Sequence, residues 1–159
     1  KIINVHGGSI RAIFTEKNGV ETSQRAKEIL VQEQSFLSKK QLIDKLNQFS
    51  FSCKKLKEHI IQFKNNKINI AAYGCPARFS TITNFGDITK SDIPYVIDDS
   101  PLKQGRLSPG KHIPIKSFDI KKDKVDVYIV FAYEYIESIK KKLQNPNVKF
   151  FRPIPFQEI

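Results

Sequence analysis

The chain has 159 residues, of which 40% are hydrophobic and 27% are charged, a composition typical of one folded domain of ordinary size. Its two cysteines are too few for a disulfide scaffold or for a zinc site built from four thiolates. Lys and Arg number 27 against 16 Asp and Glu, giving a net charge of +11. This charge raises a nucleic-acid-binding hypothesis, because cations neutralise phosphates. The basic residues are scattered in pairs and triplets, so we favour a solvated surface over a nucleic-acid partner.

No apolar run approaches the ~18–20 residues of a membrane span, and the start lacks the pattern of a signal peptide. We therefore expect a cytoplasmic protein without a membrane partner. The chain contains no methionine, even at position 1, so we expect a fragment, a processed product or a trimmed chain.

The first predicted element is a strand within residues 1–15. Apolar residues alternate there around Gly7-Gly8, and Ile10, Ala12 and Phe14 fall on one face at period two. This pattern predicts a strand entered through a glycine bend.

Two helices are predicted next. Residues 24–34 form a short one, and residues 39–65 carry the clearest periodicity of the chain. Apolar side chains recur there every three or four residues, which predicts one long amphipathic helix. The stripe consists of Leu42, Leu46, Phe49, Cys53, Leu56, Ile60 and Phe63.

The second half alternates strands with helices. Helices are predicted over residues 82–86 and 133–143. The apolar runs that predict strands are residues 68–73, 94–99, 113–115, 125–132 and 148–155. This order predicts an α/β fold: a Rossmann-like parallel sheet flanked by helices, preceded by the long amphipathic helix and the leading strand. In such sheets ligands bind at the carboxyl ends of the strands.

A turn after the first of these strands is the first candidate for chemistry. Gly74 opens it, and Arg78 follows where a guanidinium can pair with phosphate. Asp98 lies 24 positions after Gly74, where a dinucleotide fold places the carboxylate that holds a ribose. The alternative is that Gly74 simply allows a tight turn, and spacing alone leaves the two interpretations level. The absence of G-x-G-x-x-G weighs against a stand-alone dinucleotide-binding or redox domain.

A basic loop at residues 101–112 is the second candidate. Lys103, Arg106, Lys111 and His112 are cations, or potential cations, on a segment shaped by Gly and Pro. They suit a diphosphate or an acidic substrate, although an ordinary surface loop with four basic side chains explains them too. No triad or metal-ligand spacing accompanies Cys75, so we predict no catalytic residue and no metal ligand in this chain.

Several segments resemble one family in the right order. Residues 73–78 (Y-G-C-P-A-R) resemble the Y-G-A-P-A-K turn in the C-terminal domain of class I S-adenosylmethionine-dependent sugar C-methyltransferases. Residues 95–115, which contain Lys103-Gln104-Gly105, are similar to that family's V-D-x-x-P-x-K-Q-G-x-x-x-P-G-x-x-I-P-I segment. Residues 6–11 resemble its H-G-G-S-x-R strand and residues 150–155 its final strand.

The resemblance implies a parent enzyme in three parts. A zinc-binding N-terminal part and a central domain that binds S-adenosylmethionine would precede this domain, and the nucleotide-linked sugar would lie between the last two. The general base, a histidine, would also lie upstream. Residues 1–15 would then be the last strand of the central domain, residues 16–66 a helical connection and residues 67–159 the Rossmann-like C-terminal domain.

On this basis the chain is expected to bind a nucleotide-linked sugar or a similar phosphorylated small molecule, together with upstream domains of the same polypeptide. Gly74 and Arg78 would address phosphate and Asp98 a hydroxyl. Lys103 and Arg106 would shape the loop or pair with the diphosphate. The full expected substrate-binding set is Gly74, Arg78, Asp98, Lys103, Arg106 and His112.

The chain departs from the family at three places. Cys75 stands where the family usually has Ala, and Arg78 where it has Lys. The family's A-W-N after the strongest strand is replaced by Ala132-Tyr133-Glu134. If position 134 touches the substrate, the exchange of a neutral amide for an anion predicts altered specificity.

Overall fold

The computed structural model describes residues 2–3, 9–14, 16, 21–119 and 123–159. It divides into two units, Lys1–Leu46 and Asn47–Ile159. In the first unit, β1 (Ile2–Ile3) pairs antiparallel with β2 (Ser9–Ile10).

The leading strand predicted within residues 1–15 is wrong beyond Ile10. Residues 11–14 have no strand structure, and Phe14 is 91% exposed. An alternating pattern forms a strand only where a partner supplies hydrogen bonds and a surface to cover. The predicted bend at Gly7-Gly8 lies outside the described residues.

Capping residues begin both long helices. The hydroxyl of Ser23 accepts a hydrogen bond from the Ala26 N–H at 3.3 Å at the start of α1 (Gln24–Phe36). At the start of α2 (Lys39–Asn65), the Ser38 hydroxyl accepts from the Gln41 N–H at 3.3 Å, and the Gln41 amide oxygen accepts from the Ser38 N–H at 3.2 Å. This reciprocal pair is a capping box.

The apolar stripe of α2 is covered along only part of its length. Cys53, Leu56 and Ile60 are fully buried in the second unit, whereas Leu42 and Leu46 are exposed. The helical period therefore matches the structure, but the period alone does not tell which turns are covered.

The second unit is built on a mixed sheet of six strands. Its order is β5-β4-β3-β6-β7-β8. The first five strands in this order run parallel to one another, and β8 runs antiparallel to β7. The strands are β3 (Ile70–Tyr73), β4 (Val96–Ile97), β5 (Ile115–Lys116), β6 (Val127–Val130), β7 (Lys149–Arg152) and β8 (Gln157–Glu158).

The prediction of a wholly parallel sheet is therefore wrong at β8, which is antiparallel. Residues 153–156 form a turn that brings the chain back along β7. Only two residues of β8 pair, and both are exposed. A strand this short carries no hydrophobic period for sequence analysis to detect.

Helices cover both faces of the sheet. α3 (Ala77–Phe85) joins β3 to β4, and α4 (Ile136–Leu143), preceded by a 3-10 turn (Tyr133–Tyr135), joins β6 to β7. Alternate strand residues divide between two cores. Ile70, Ala72, Val127 and Ile129 pack with α2 and α3, whereas Ala71, Tyr73, Tyr128 and Val130 pack with α4.

The strand order reverses between β3 and β6. From β3 the chain moves to β4 and β5 on one side, and from β6 to β7 on the other. Tyr73 and Val130 are register partners, so the turns after β3 and β6 leave the sheet side by side. Ligands of open α/β sheets bind at such a switch point. Within the described parts of the chain, no helix has the length and apolar character needed to cross a membrane.

Candidate functional site

The turn after β3 lies directly against the turn after β6. Gly74 has φ +83°, and a Cβ placed on it would lie only 2.5 Å from the Cβ of Ala132. A side chain at this position would be both strained and obstructed. The Gly74 N–H donates to the Ile97 carbonyl at 2.6 Å, which joins the same turn to β4. Gly74 therefore allows three adjacent strand ends to converge.

Asp98, at the end of β4, ties this turn to the basic loop. The side chain accepts hydrogen bonds from the N–H groups of Cys75 at 2.7 Å and Ser100 at 2.9 Å, and from the Lys103 ammonium at 3.1 Å. Asp98 is 7% exposed. Burial alone would raise the pKa of Asp98, but the Ser100 and Cys75 N–H groups and Lys103 outweigh it, so the net shift is downward.

The Lys103-Gln104-Gly105 segment holds the loop in place. Lys103 also donates to the Cys75 carbonyl at 3.1 Å, and the Gln104 amide donates to the Asp98 carbonyl at 2.9 Å. The Gly105 N–H, at a residue with φ +76°, donates to the Ile115 carbonyl at 2.9 Å. Lys103 therefore holds the turn after β3 and the end of β4 together through its hydrogen bonds to protein oxygens.

Arg78 forms a second cluster over the switch point. Its guanidinium lies 2.6 Å from the Glu134 carboxylate and 4.7 Å from the centre of the Tyr133 ring. The Arg78 and Glu134 side chains are 38% and 36% exposed, so both remain open to solvent. We define Arg78, Tyr133 and Glu134 as the switch-point cluster. It links the first turn of α3 to the turn after β6.

Arg106 and His112 lie farther along the loop and are exposed. Their backbones are held: the Arg106 N–H donates to Lys103, and the His112 N–H donates to Ser108. Among the described residues, neither side chain makes an ion pair or a hydrogen bond. The structure therefore brings Gly74, Asp98 and Lys103 into one network and Arg78 into another, and it joins neither Arg106 nor His112 to them through the side chain.

Two carboxylates of the strand ends were not among the predicted site residues. Glu134 stands out in the sequence only as a departure from the family pattern, and Asp99 does not stand out there. Asp99 accepts from the Tyr73 hydroxyl at 3.0 Å and pairs with Lys142. Asp99 is the last residue of one predicted strand and Glu134 lies two residues beyond another, so a position near a strand end was the signal available for both. Three cations at this edge, Arg78, Lys103 and Lys142, thus each have a carboxylate partner.

The described residues do not fit either cofactor that the resemblance implies. A nucleoside cofactor would need an accessible carboxylate after β4, but Asp98 is buried and accepts three hydrogen bonds from its own chain. Zinc would need clustered ligands. Cys53 and Cys75 are buried, and no group of three His, Cys, Asp or Glu suited to a metal occurs in the described parts of the chain.

A shallow groove lies at the opposite, amino edge of the sheet. Its volume is about 280 Å³, and its lining includes Lys64, Asn69, Tyr95 and Lys124. The Lys64 ammonium donates to the Ser91 carbonyl. This groove is a concave surface on the side of the sheet opposite the switch point.

Known proteins match this chain. The model of the C-methyltransferase C-terminal domain family matches residues 4–155. The chain is also 33% identical over 91 residues to the C-methyltransferase NovU of Streptomyces niveus, an alignment that covers 54% of this chain and 21% of that protein. The chain thus matches about a fifth of that relative's length. Since the family model extends over nearly all of the sequence, the chain belongs to the C-methyltransferase C-terminal domain family.

Proposed function

We propose that the chain is the substrate-binding C-terminal domain of an S-adenosylmethionine-dependent C-methyltransferase. Its substrate would be a nucleotide-linked sugar or a similar phosphorylated small molecule. The family match and the name of the relative support methyltransferase chemistry. Within this proposal, S-adenosylmethionine and zinc would be bound by upstream domains of the same polypeptide. The chain alone would bind substrate without catalysing transfer.

One observation carries the location of the site. The Gly74 turn and the Ala132 turn meet at the reversal of strand order, and Arg78 bridges them with its guanidinium still accessible. Ligand sites of open α/β sheets occur at such a reversal of strand order. A guanidinium at this position matches the planar, bidentate geometry of a phosphate.

Five of the six predicted residues then have a role within the proposal. Gly74 sets the turn, and Arg78 addresses a phosphate. Asp98 and Lys103 keep the turn and loop together, so their effect on binding is positional. Arg106 adds an accessible cation from the loop, and His112 lies beyond it on the same loop.

Isothermal calorimetry with the 159-residue chain tests the proposal. We expect uridine or thymidine diphosphate sugars to bind and S-adenosylmethionine not to bind. Tight binding of S-adenosylmethionine alone would contradict the assignment. A nicotinamide cofactor and an unrelated oligonucleotide serve as further titrants. Oligonucleotide affinity that falls steeply with salt, in the absence of nucleotide-sugar binding, would favour the nucleic-acid hypothesis instead.

A further inference from the structure

The switch-point cluster contains an internal competitor for any anion that approaches Arg78. Glu134 lies 2.6 Å from the guanidinium, which is the distance and charge that a ligand phosphate oxygen would have there. Among the described residues, Arg78 is the one cation that pairs with Glu134. The guanidinium therefore already has an anion, although both side chains remain partly open to solvent.

Neighbouring residues hold Arg78 and Glu134 in place beside each other. The Tyr133 ring lies against the guanidinium at 4.7 Å, and the close approach of Gly74 to Ala132 holds the two turns together. Glu134 follows Tyr133 in the 3-10 turn after β6, so its carboxylate is carried by the scaffold and not by a long loop. An anionic ligand must share Arg78 with Glu134 or displace it.

We propose that Glu134 is a specificity-determining residue that lowers the affinity of the switch point for simple phosphates. This inference rests on the proposed function. A carboxylate beside the guanidinium repels a phosphate and occupies donors that the phosphate would use. An isolated phosphate or diphosphate then gains little from Arg78. The diphosphate of a nucleotide-linked sugar carries less negative charge than a free diphosphate, because its terminal phosphate is esterified. Glu134 therefore repels the complete molecule less than its phosphate fragment, which selects the nucleotide-linked ligand.

The charge-neutral variant Glu134→Gln tests this directly. It keeps the shape of the side chain and removes the competing anion. We expect it to tighten binding of inorganic pyrophosphate and of a nucleoside diphosphate about three- to tenfold, with a smaller gain for the nucleotide-linked sugar. Glu137→Gln is the matched control, since Glu137 is exposed on the first turn of α4 and its replacement changes the net charge equally. The control should change affinity by less than about twofold.

A double-mutant cycle with Arg78→Gln separates competition from general charge. If Glu134 acts through Arg78, the gain from Glu134→Gln falls to that of Glu137→Gln once Arg78 is replaced. If the wild-type chain binds these ligands but Glu134→Gln binds them no more tightly, or more weakly, the inference is overturned. The proposed function then still stands. If wild-type chain and every variant bind neither diphosphate nor nucleotide-sugar, the proposed function fails and the inference fails with it. Circular dichroism of each variant confirms that the fold is retained.

Discussion

The backbone N–H of Cys75 donates a hydrogen bond of 2.7 Å to the carboxylate of Asp98. This bond joins the turn after β3 to the end of β4, and Lys103 completes the link by contacting both residues. A buried carboxylate therefore organises the strand ends where the proposed site lies. Removal of this carboxylate would lower the stability of the fold, and it would weaken ligand binding by displacing the turn and the loop that it joins.

Replacement of Asp98 should destabilise the chain substantially. Asp98→Ala leaves two backbone N–H groups without their acceptor and removes the carboxylate partner of Lys103, at a cost of about 2–4 kcal/mol in the free energy of unfolding. Asp99→Ala is the comparison: Asp99 is 57% exposed in its side chain, so its loss should cost about 1 kcal/mol or less. Urea unfolding measures both. Equal losses for the two variants would contradict the organising role of Asp98.

The contribution of Asp98 should also disappear in acid. Because the folded-state pKa of Asp98 is lowered, the stability it provides is complete above the unfolded-state pKa of about 3.9. That stability is lost as the pH falls further, through the folded-state pKa. Unfolding free energies of wild type and Asp98→Asn should therefore differ most near neutral pH and converge below about pH 4. A difference that stays constant through the acid range would refute this assignment.

Two glycines offer a matched test of the close approach at the switch point. Gly74 and Gly105 both have positive φ, but a Cβ at Gly74 meets Ala132 at 2.5 Å, whereas nothing lies within 4 Å of a Cβ at Gly105. Gly105→Ala should cost about 1–2 kcal/mol from backbone strain alone. Gly74→Ala adds overpacking and should cost about 3 kcal/mol or more. A Gly74→Ala variant as stable as Gly105→Ala would mean that the two turns separate readily.

Cys75 should be chemically inert despite its place in the turn. Burial raises the pKa of its thiol to about 11, with a further contribution from Asp98 that Lys103 partly offsets. Since the thiolate is the reactive form, little of it exists at neutral pH. Burial also raises the pKa of Cys53. A colourimetric thiol reagent should react slowly with the native chain and quickly with both cysteines in denaturant. Rapid reaction of one native thiol would count against the buried environment of Cys75.

Much of the fold was predictable because its signals are local. The period of the residues in α2 and the apolar run of β6 each predict one element from neighbouring side chains alone. The two-residue strand β8 and the end of β2 at Ile10 were not predictable. A short strand exists because a partner strand lies beside it, and that partner is fixed by the tertiary fold.

In the candidate site, some residues could be predicted from the sequence, but the contacts between them could not. Gly74, Arg78 and Asp98 could be named because a turn, a cation and an acid follow predicted strands. Their partners could not: the contact of Arg78 with Glu134 joins residues 56 positions apart, and that of Cys75 with Asp98 joins residues 23 positions apart. The order of the strands decides these contacts, and the mixed sheet was not fully predicted. Family membership is shown, whereas the role of each site residue stays a prediction.

The most direct test of the central proposal is nuclear magnetic resonance mapping of a nucleotide-linked sugar on the isotopically labelled 159-residue chain. We expect backbone amide shifts to concentrate in the turns after β3, β4 and β6, with Gly74, Arg78 and Glu134 among the largest. Amides at the amino-edge groove, including Asn69 and Lys124, should stay unchanged. Shifts confined to that groove, or saturable binding without shifts at the strand ends, would contradict the proposed site.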